Sequence, residues 1–225
     1  MGKDAREQEV QKLRRSAEWA LRKSLEPSDV VAVLQRLLRM VPPDSEDALF
    51  AHRHLAELTV EAEPWKAALS ARRLIAANPD DDQGWALLAL ALTLLSHYQT
   101  AVRAYRRALA LSPRNPWYAH NLGHLLDVAL DRPNDGLALL QSAHRQEPQE
   151  TEIASSYAHA LGRVGKIEEA RDLLRRSIRD GGNREQRALL AWLDEATAER
   201  QPVRRRKTRS TAPTEKAPRR KGRGA

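Results

Sequence analysis

Apolar residues recur every three or four positions along most of this chain, which is the spacing of one buried face on an α-helix. In the first segment Val10, Leu13, Ala17 and Leu21 follow this spacing, and Pro27 interrupts it. No segment alternates apolar and polar residues with a period of two, so no strand is predicted. The pattern predicts an all-α fold with helices near 3–26, 28–40, 46–61, 64–77, 82–97, 99–111, 116–130, 134–146, 151–163, 166–179 and 184–199.

The residues between these segments are typical of helix ends. Asp44 or Ser45 is the expected N-cap of the third helix, and the three aspartates at 80–82 are expected to cap the fifth. Asn183 and Gln186, three residues apart, are expected to form a capping box before the last helix.

The chain also repeats itself every 34 to 35 residues, which indicates an array of stacked units. We expect the small residue in each half of a unit to lie where two paired helices cross closely. The first halves align as Leu88-Ala89…Leu92, Leu122-Gly123…Leu126 and Tyr157-Ala158…Leu161. The second halves align as Ala101…Tyr105…Ala108, Gly136…Leu140…Ala143 and Ala170…Leu174…Ser177, and Pro79, Pro113 and Pro148 keep the same period.

This pattern resembles the tetratricopeptide repeat. The unit 116–150 departs from it with Ala119 in the Trp column, with Gly136 in an Ala column and with one inserted residue near Pro133. The unit 151–184 replaces the closing proline by Gly182, the unit 45–80 is degenerate, and residues 11–44 are a candidate further unit. Nearly the whole family pattern is present in the unit 82–115, as Trp85, Leu88, Ala89, Leu92, Ala101, Tyr105, Ala108 and Pro113.

The resemblance implies a right-handed α-solenoid whose inner, concave face is lined by the first helix of each pair. It also implies a protein- or peptide-binding scaffold, because the fold itself supplies no chemistry. We expect N-terminal helices over 1–44, the repeat array over 45–199 with 184–199 as its C-terminal capping helix, and a disordered basic tail over 200–225.

A stripe of residues on the helix 116–130 is distinct from its packing residues, and the family geometry places this stripe on the concave face. Its spacing of i, i+3, i+4 and i+7 puts its members on one side of the helix. We expect a groove with an apolar end, an aromatic and His-rich middle and a polar end. Either Asp127 or Val128 ends the stripe, and Ala86, Glu152 and Ser155 occupy equivalent positions in the adjacent units. The predicted partner-binding residues are Gln83, Leu90, Leu94, Trp117, His120, Asn121, His124, His159 and Arg163.

His120 and His124 have the i, i+4 spacing with which two imidazoles can share a zinc ion. A third ligand would have to be His159 or Asp127, and Asn121 stands where a zinc hydrolase carries its glutamate base. We therefore predict neither a metal site nor a cofactor. No phosphate-binding loop, nucleophile elbow or carboxylate pair is present, so the chain is not expected to be an enzyme.

The net charge of +8 is concentrated at the C-terminus. Residues 200–225 hold eleven Arg or Lys and one acid, which leaves 27 basic and 29 acidic residues in 1–199. Such a tail would attract nucleic acid, anionic lipid or an acidic protein, or would only improve solubility. In the alternative function, a nucleic-acid-associated protein, the tail is the functional element and the repeats mediate self-association. The predicted anion-binding residues are Arg204, Arg205, Arg206, Lys207, Arg209, Arg219, Arg220 and Lys221.

The chain has no cysteine, which excludes disulfides and thiolate metal sites. The charged N-terminus shows no signal peptide, and the longest nearly apolar run, 85–95, is too short to span a membrane. These features lead us to expect a cytoplasmic protein, and they leave its oligomeric state open.

Overall fold

A computed structural model describes the backbone of residues 3–200 and the side chains of residues 4–195. The described residues form helices and no strand, as the sequence predicts. The helices are α1 (Lys3–Arg22), α2 (Pro27–Leu38), α3 (Glu46–Thr59), α4 (Pro64–Ala77), α5 (Asp82–Leu94), α6 (Tyr98–Leu111), α7 (Pro116–His124), α8 (Pro133–Gln146), α9 (Thr151–Arg163), α10 (Ile167–Arg179) and α11 (Arg184–Arg200).

Each helix packs mainly against its neighbours in the chain, which is the arrangement of an α-solenoid. Helices α3 and α4, α5 and α6, α7 and α8, and α9 and α10 form the pairs, and α11 contacts both α9 and α10. The first helices of successive pairs also touch, as α3 with α5 and α7 with α9. The core between the layers is made mostly of Ala and Leu, so the helices approach closely.

The crossing of α7 and α8 confirms the role expected of the small residues. A β-carbon at Gly123 would lie 2.7 Å from Leu140 Cγ and 3.1 Å from the backbone oxygen of Gly136. A β-carbon at Gly136 would collide with the backbone oxygen of Gly123. The two glycines therefore allow the helix backbones to touch.

Several predicted N-caps are confirmed. Ser45 Oγ accepts a hydrogen bond from the Ala48 amide at 3.2 Å, and Asp81 Oδ1 accepts one from the Gly84 amide at 3.0 Å. The capping box before α11 forms only in part. Asn183 accepts from the Gln186 amide, but the Gln186 side chain points away and donates to the Thr151 carbonyl and to Ser177 Oγ.

Several helices end in a left-handed residue that the hydrophobic pattern does not reveal. Ser96, Asp131 and Gly165 have φ values of 60°, 55° and 86°. The amide after each residue returns to a carbonyl five positions back or more, which closes the end of the helix. For this reason α5 ends at Leu94 and not near residue 97. The same geometry at Ser24, with φ 48°, ends α1 at Arg22 and not near residue 26.

The inserted residue of the unit 116–150 lies in a π-helical turn, Leu125–Ala129, that continues α7. Leu92 and Leu126 are 34 residues apart, whereas the left-handed residues Ser96 and Asp131 are 35 apart. The extra residue must therefore lie between 126 and 131, a few residues before its expected place near Pro133. A wider turn absorbs the insertion without breaking the helix.

Candidate functional site

The predicted groove residues lie on α5, α7 and α9, the first helices of three consecutive pairs. Gln83 is exposed near the start of α5, where its side-chain oxygen accepts a hydrogen bond from Arg53 at 2.8 Å. Trp117 is 39% exposed at the start of α7. The residues equivalent to Trp117 in the adjacent units are Gln83 and Glu152. Both are exposed, so this edge is accessible along all three units.

An open cavity of about 220 Å³ lies between α5 and α7. Thr93 contributes a hydroxyl to its wall, but this group donates to the Ala89 carbonyl at 2.9 Å within its own helix. Tyr105 also lines the cavity, and burial raises the pKa of its phenol, so it stays neutral. The cavity is lined by Leu90, Thr93, Tyr98, Tyr105, Asn121, His124, Leu125, Val128 and Ala129.

Two large apolar side chains are exposed on this face. Leu94 is 48% exposed on α5, and Val128 is 51% exposed in the π turn. They are 34 residues apart and occupy equivalent positions in consecutive units. Leu90 and Val128 line the cavity, and Leu94 follows the lining residue Thr93 in the chain.

His120 does not point into the groove, and this part of the prediction is wrong. It is only 3% exposed, and its Nε2 lies 2.9 Å from Ser156 Oγ on α9. Its Nδ1 lies 3.0 Å from Asn121 Oδ1. Because the facing residues of α9 are the small Ser155 and Ser156, α9 comes close enough to α7 for the imidazole to fill the space between the helices.

His124 stays on the exposed side, with its ring stacked 5.9 Å from that of His120. Its Nδ1 lies 3.3 Å from Ser156 Oγ, so one serine lies between the two imidazoles. The described residues contain no group of three His, Cys, Asp or Glu side chains arranged to hold a metal ion. Asp127 and His159, the two alternatives for a third ligand, bind each other.

Asp127 is fully buried in the π turn and forms a network with α9. His159 Nδ1 lies 2.7 Å from Asp127 Oδ2, and Arg163 donates to Asp127 Oδ1 at 3.0 Å. Arg163 also donates to the Asp127 backbone oxygen at 2.5 Å and pairs with the exposed Asp131. Asp127, His159 and Arg163 thus join two units, and only the partly exposed faces of His159 and Arg163 remain on the groove side.

Some residues of the candidate site were missed from the sequence. Ser156 is equivalent to Asn121 in the repeat alignment, so the column spacing could have revealed it. Trp192 of α11 stacks 5.9 Å from His159 and is 42% exposed, which extends the face beyond the repeats. Tyr98 belongs to a second helix, and nothing in the periodicity indicates that it reaches the cavity. The predicted anion-binding residues, Arg204 to Lys221, lie outside the described residues.

Acidification is expected to destabilise the array. Burial lowers the pKa of His120 below its usual 6.5, and burial and the Arg73 charge do the same for His52. The unfolded chain then binds protons that the folded chain excludes, so stability is complete above pH 6.5 and falls as the pH drops towards the lowered folded-state pKa. The urea midpoint should be lower at about pH 5.5 than at about pH 8.

The control for this pH effect is His97, which is exposed in the turn before α6. His120→Gln should flatten the dependence of the urea midpoint on pH between about 5.5 and 8, and His97→Gln should leave it unchanged. Equal slopes for the two variants would show that burial of His120 does not contribute.

Comparison with known proteins supports the same fold. The model of the tetratricopeptide repeat family matches residues 127–193. Interferon-induced protein with tetratricopeptide repeats 2 from Cricetulus griseus is 28% identical over 101 residues, or 45% of this chain, and the aligned region is about a fifth (21%) of that relative's length.

Two solved structures share the architecture at lower sequence identity. Pseudomonas aeruginosa PilF is 20% identical with a TM-score of 0.68, and the match covers 87% of each chain. YrrB, described as a TPR protein with an unusual peptide-binding site, is 17% identical with a TM-score of 0.61 over 74% of this chain and 84% of its own. At these identities the likeness shows the fold alone. The repeated helix pairs, the family match over residues 127–193 and these neighbours together show a tetratricopeptide-type repeat fold.

Proposed function

We propose that this protein is an interaction scaffold that binds an extended protein segment along α5, α7 and α9. The observation that carries the proposal is the open apolar cavity between α5 and α7, with the exposed Val128 in its lining and the exposed Leu94 one residue after the lining residue Thr93. Exposed apolar side chains beside a cavity are typical of binding surfaces, because they are covered only when a ligand is present. YrrB, which shares the fold, is described as having a peptide-binding site, and this description also supports binding.

The cavity favours a ligand with one apolar side chain anchored between the two helices. Beyond it, the exposed His124 and Trp117 offer an aromatic middle, and Glu152 and Arg163 offer polar contacts on α9. An extended segment crossing three first helices would meet these surfaces in order. Specificity would come from the apolar anchor and from hydrogen bonds at its flanks.

Binding without catalysis is part of the proposal. Ser156 lies beside two imidazoles, but it is 8% exposed and lies between α7 and α9, so a substrate has no access to its hydroxyl. Asp127 is fully buried and paired with His159 and Arg163. The polar groups that resemble a reactive cluster thus serve to join two units.

The test is selection of peptides from a random displayed library on the full chain, followed by affinity measurement on variants. Val128→Glu places a charge at the edge of the cavity and should weaken the selected peptides at least about tenfold, or about 1.4 kcal/mol. Ala138→Glu, on the exposed side of α8, is the matched control and should bind like the parent chain. Selected peptides that bound Val128→Glu normally would exclude the cavity as the anchor site.

A further inference from the structure

The second helices of the pairs carry a repeated arginine doublet that the groove does not use. Arg72-Arg73, Arg106-Arg107 and Arg175-Arg176 stand 34 and 69 residues apart, so they occupy the same two columns in three units. The unit 116–150 has Gln141-Ser142 in these columns. All six arginines are exposed, and they lie on helices α4, α6 and α10, which are the second members of their pairs.

In the pairs α3–α4 and α5–α6, charge is unevenly distributed between the first and the second helices. Helices α4 and α6 carry six basic residues and no acidic residue, namely Lys66, Arg72, Arg73, Arg103, Arg106 and Arg107. The first helices beside them, α3 and α5, carry four acidic residues and one arginine, namely Glu46, Asp47, Glu57, Asp82 and Arg53. The near-neutral total of residues 1–199 conceals this difference.

The arginines of α4 and α6 are poorly compensated. Arg107 pairs with Asp80, but Asp80 is 74% exposed, so the pair is weak. Arg72, Arg73 and Arg106 form no ion pair with any residue for which the structure describes a side chain. Parallel columns of like charge repel each other, and an anionic partner would remove this repulsion.

Two apolar side chains lie on the same face of α4 as its doublet. Trp65 and Leu69 are each 54% exposed, and with Arg72 and Arg73 they follow the i, i+4, i+7, i+8 spacing of one helix face. The Lys66 ammonium lies 5.3 Å from the centre of the Trp65 ring. A face with Trp and Leu beside several cations is the pattern of a helix that lies on an anionic bilayer.

We propose that the outer face formed by α4 and α6 docks on a membrane surface rich in anionic phospholipids. The arginines would contact headgroup phosphates, and Trp65 and Leu69 would enter the boundary with the acyl chains. Leu69 distinguishes this partner from nucleic acid, since a leucine among phosphate contacts would stay in water. No helix in the described part of the chain has the length and apolar composition that a membrane span requires.

The first experiment locates the contact on the full chain. The chain has no cysteine, so Leu69→Cys and Leu94→Cys each provide one site for an environment-sensitive fluorophore. Leu69 belongs to the outer face and Leu94 to the groove, with similar exposures of 54% and 48%. Phosphatidylcholine vesicles containing about a third phosphatidylglycerol should shift the emission at position 69 to the blue and leave position 94 unchanged. Pure phosphatidylcholine should shift neither.

The second experiment separates the outer face from the basic tail, which every variant retains. Replacing Arg72, Arg73, Arg106 and Arg107 by Gln should weaken partition into the anionic vesicles at least about tenfold. The matched control replaces four exposed basic residues of α1 and the turn after it, Lys12, Arg15, Arg22 and Lys23, by Gln and changes the net charge equally. This control should retain most of the affinity.

The proposal would be overturned if the emission at position 69 did not change, or if the two quadruple variants lost vesicle affinity equally. The attraction would then come from the total charge or from the basic tail, 200–225. Duplex DNA replaces the vesicles in a third arm. If DNA and not vesicles changed the emission at position 69, and only the outer-face variant lost DNA affinity, the face would bind nucleic acid and the membrane proposal would be wrong.

Discussion

Gly123→Leu is expected to destabilise the array by about 3 kcal/mol or more, because overpacking at a closed crossing forces the backbones apart. A β-carbon alone at this position would already lie 2.7 Å from Leu140 Cγ and 3.1 Å from the Gly136 backbone oxygen. Leucine adds three further carbons with no space for them. The α7–α8 crossing lies in the middle of the array, so we expect its loss to uncouple the units on either side.

The measurement is the urea midpoint followed by circular dichroism. The midpoint is the appropriate quantity, since cooperative unfolding of a repeat array can break down into steps. Ala138→Leu makes a similar increase in volume on the exposed side of α8 and should change the midpoint little. If both variants unfolded at the same urea concentration as the parent chain, the close crossing would have no energetic importance.

Asp127→Asn is expected to cost about 3 kcal/mol, because it removes one partner of a buried charge network. The variant keeps the shape of the side chain but leaves Arg163 with its charge facing a neutral amide. We place the cost at the low end for a buried pair, since Arg163 is 25% exposed and water can solvate part of its guanidinium.

Asp131→Asn provides the matched control for this prediction. Asp131 pairs with the same Arg163, but it is 85% exposed, and surface pairs contribute about 1 kcal/mol or less. Thermal unfolding should therefore separate the two variants, with Asp127→Asn clearly less stable. Equal midpoints would show that the Asp127 network does not hold the third and fourth repeat pairs together.

The sequence predicted the features that depend on nearby residues. Helices, N-caps at Ser45 and Asp81 and the glycine crossing all follow from local spacing or from the repeat alignment. These features are recoverable because each is set within one unit. The tetratricopeptide fold itself was predictable for the same reason.

The site was predicted less well, because its side chains depend on the next unit. His120 has the helix position of a groove residue, but the small Ser155 and Ser156 of α9 allow it to be buried. The sequence left open whether Asp127 or Val128 ends the groove stripe, and only the contacts of Asp127 with His159 and Arg163 fix its direction. The repeat alignment predicts which positions of different units are equivalent. The burial of a side chain depends instead on the residues that face it from the next unit.

The π turn of α7 also limits how this chain could be rebuilt from its own parts. The unit with the π turn carries the buried Asp127, so it can be followed only by a unit carrying an arginine at the place of Arg163. Exchanging the units 116–150 and 82–115 by recombination would place Asp127 before a unit without that arginine and leave its carboxylate buried without its cation. The order of the repeats is therefore fixed at this point, and duplication or shuffling of the unit 116–150 should be tolerated only when the following unit moves with it.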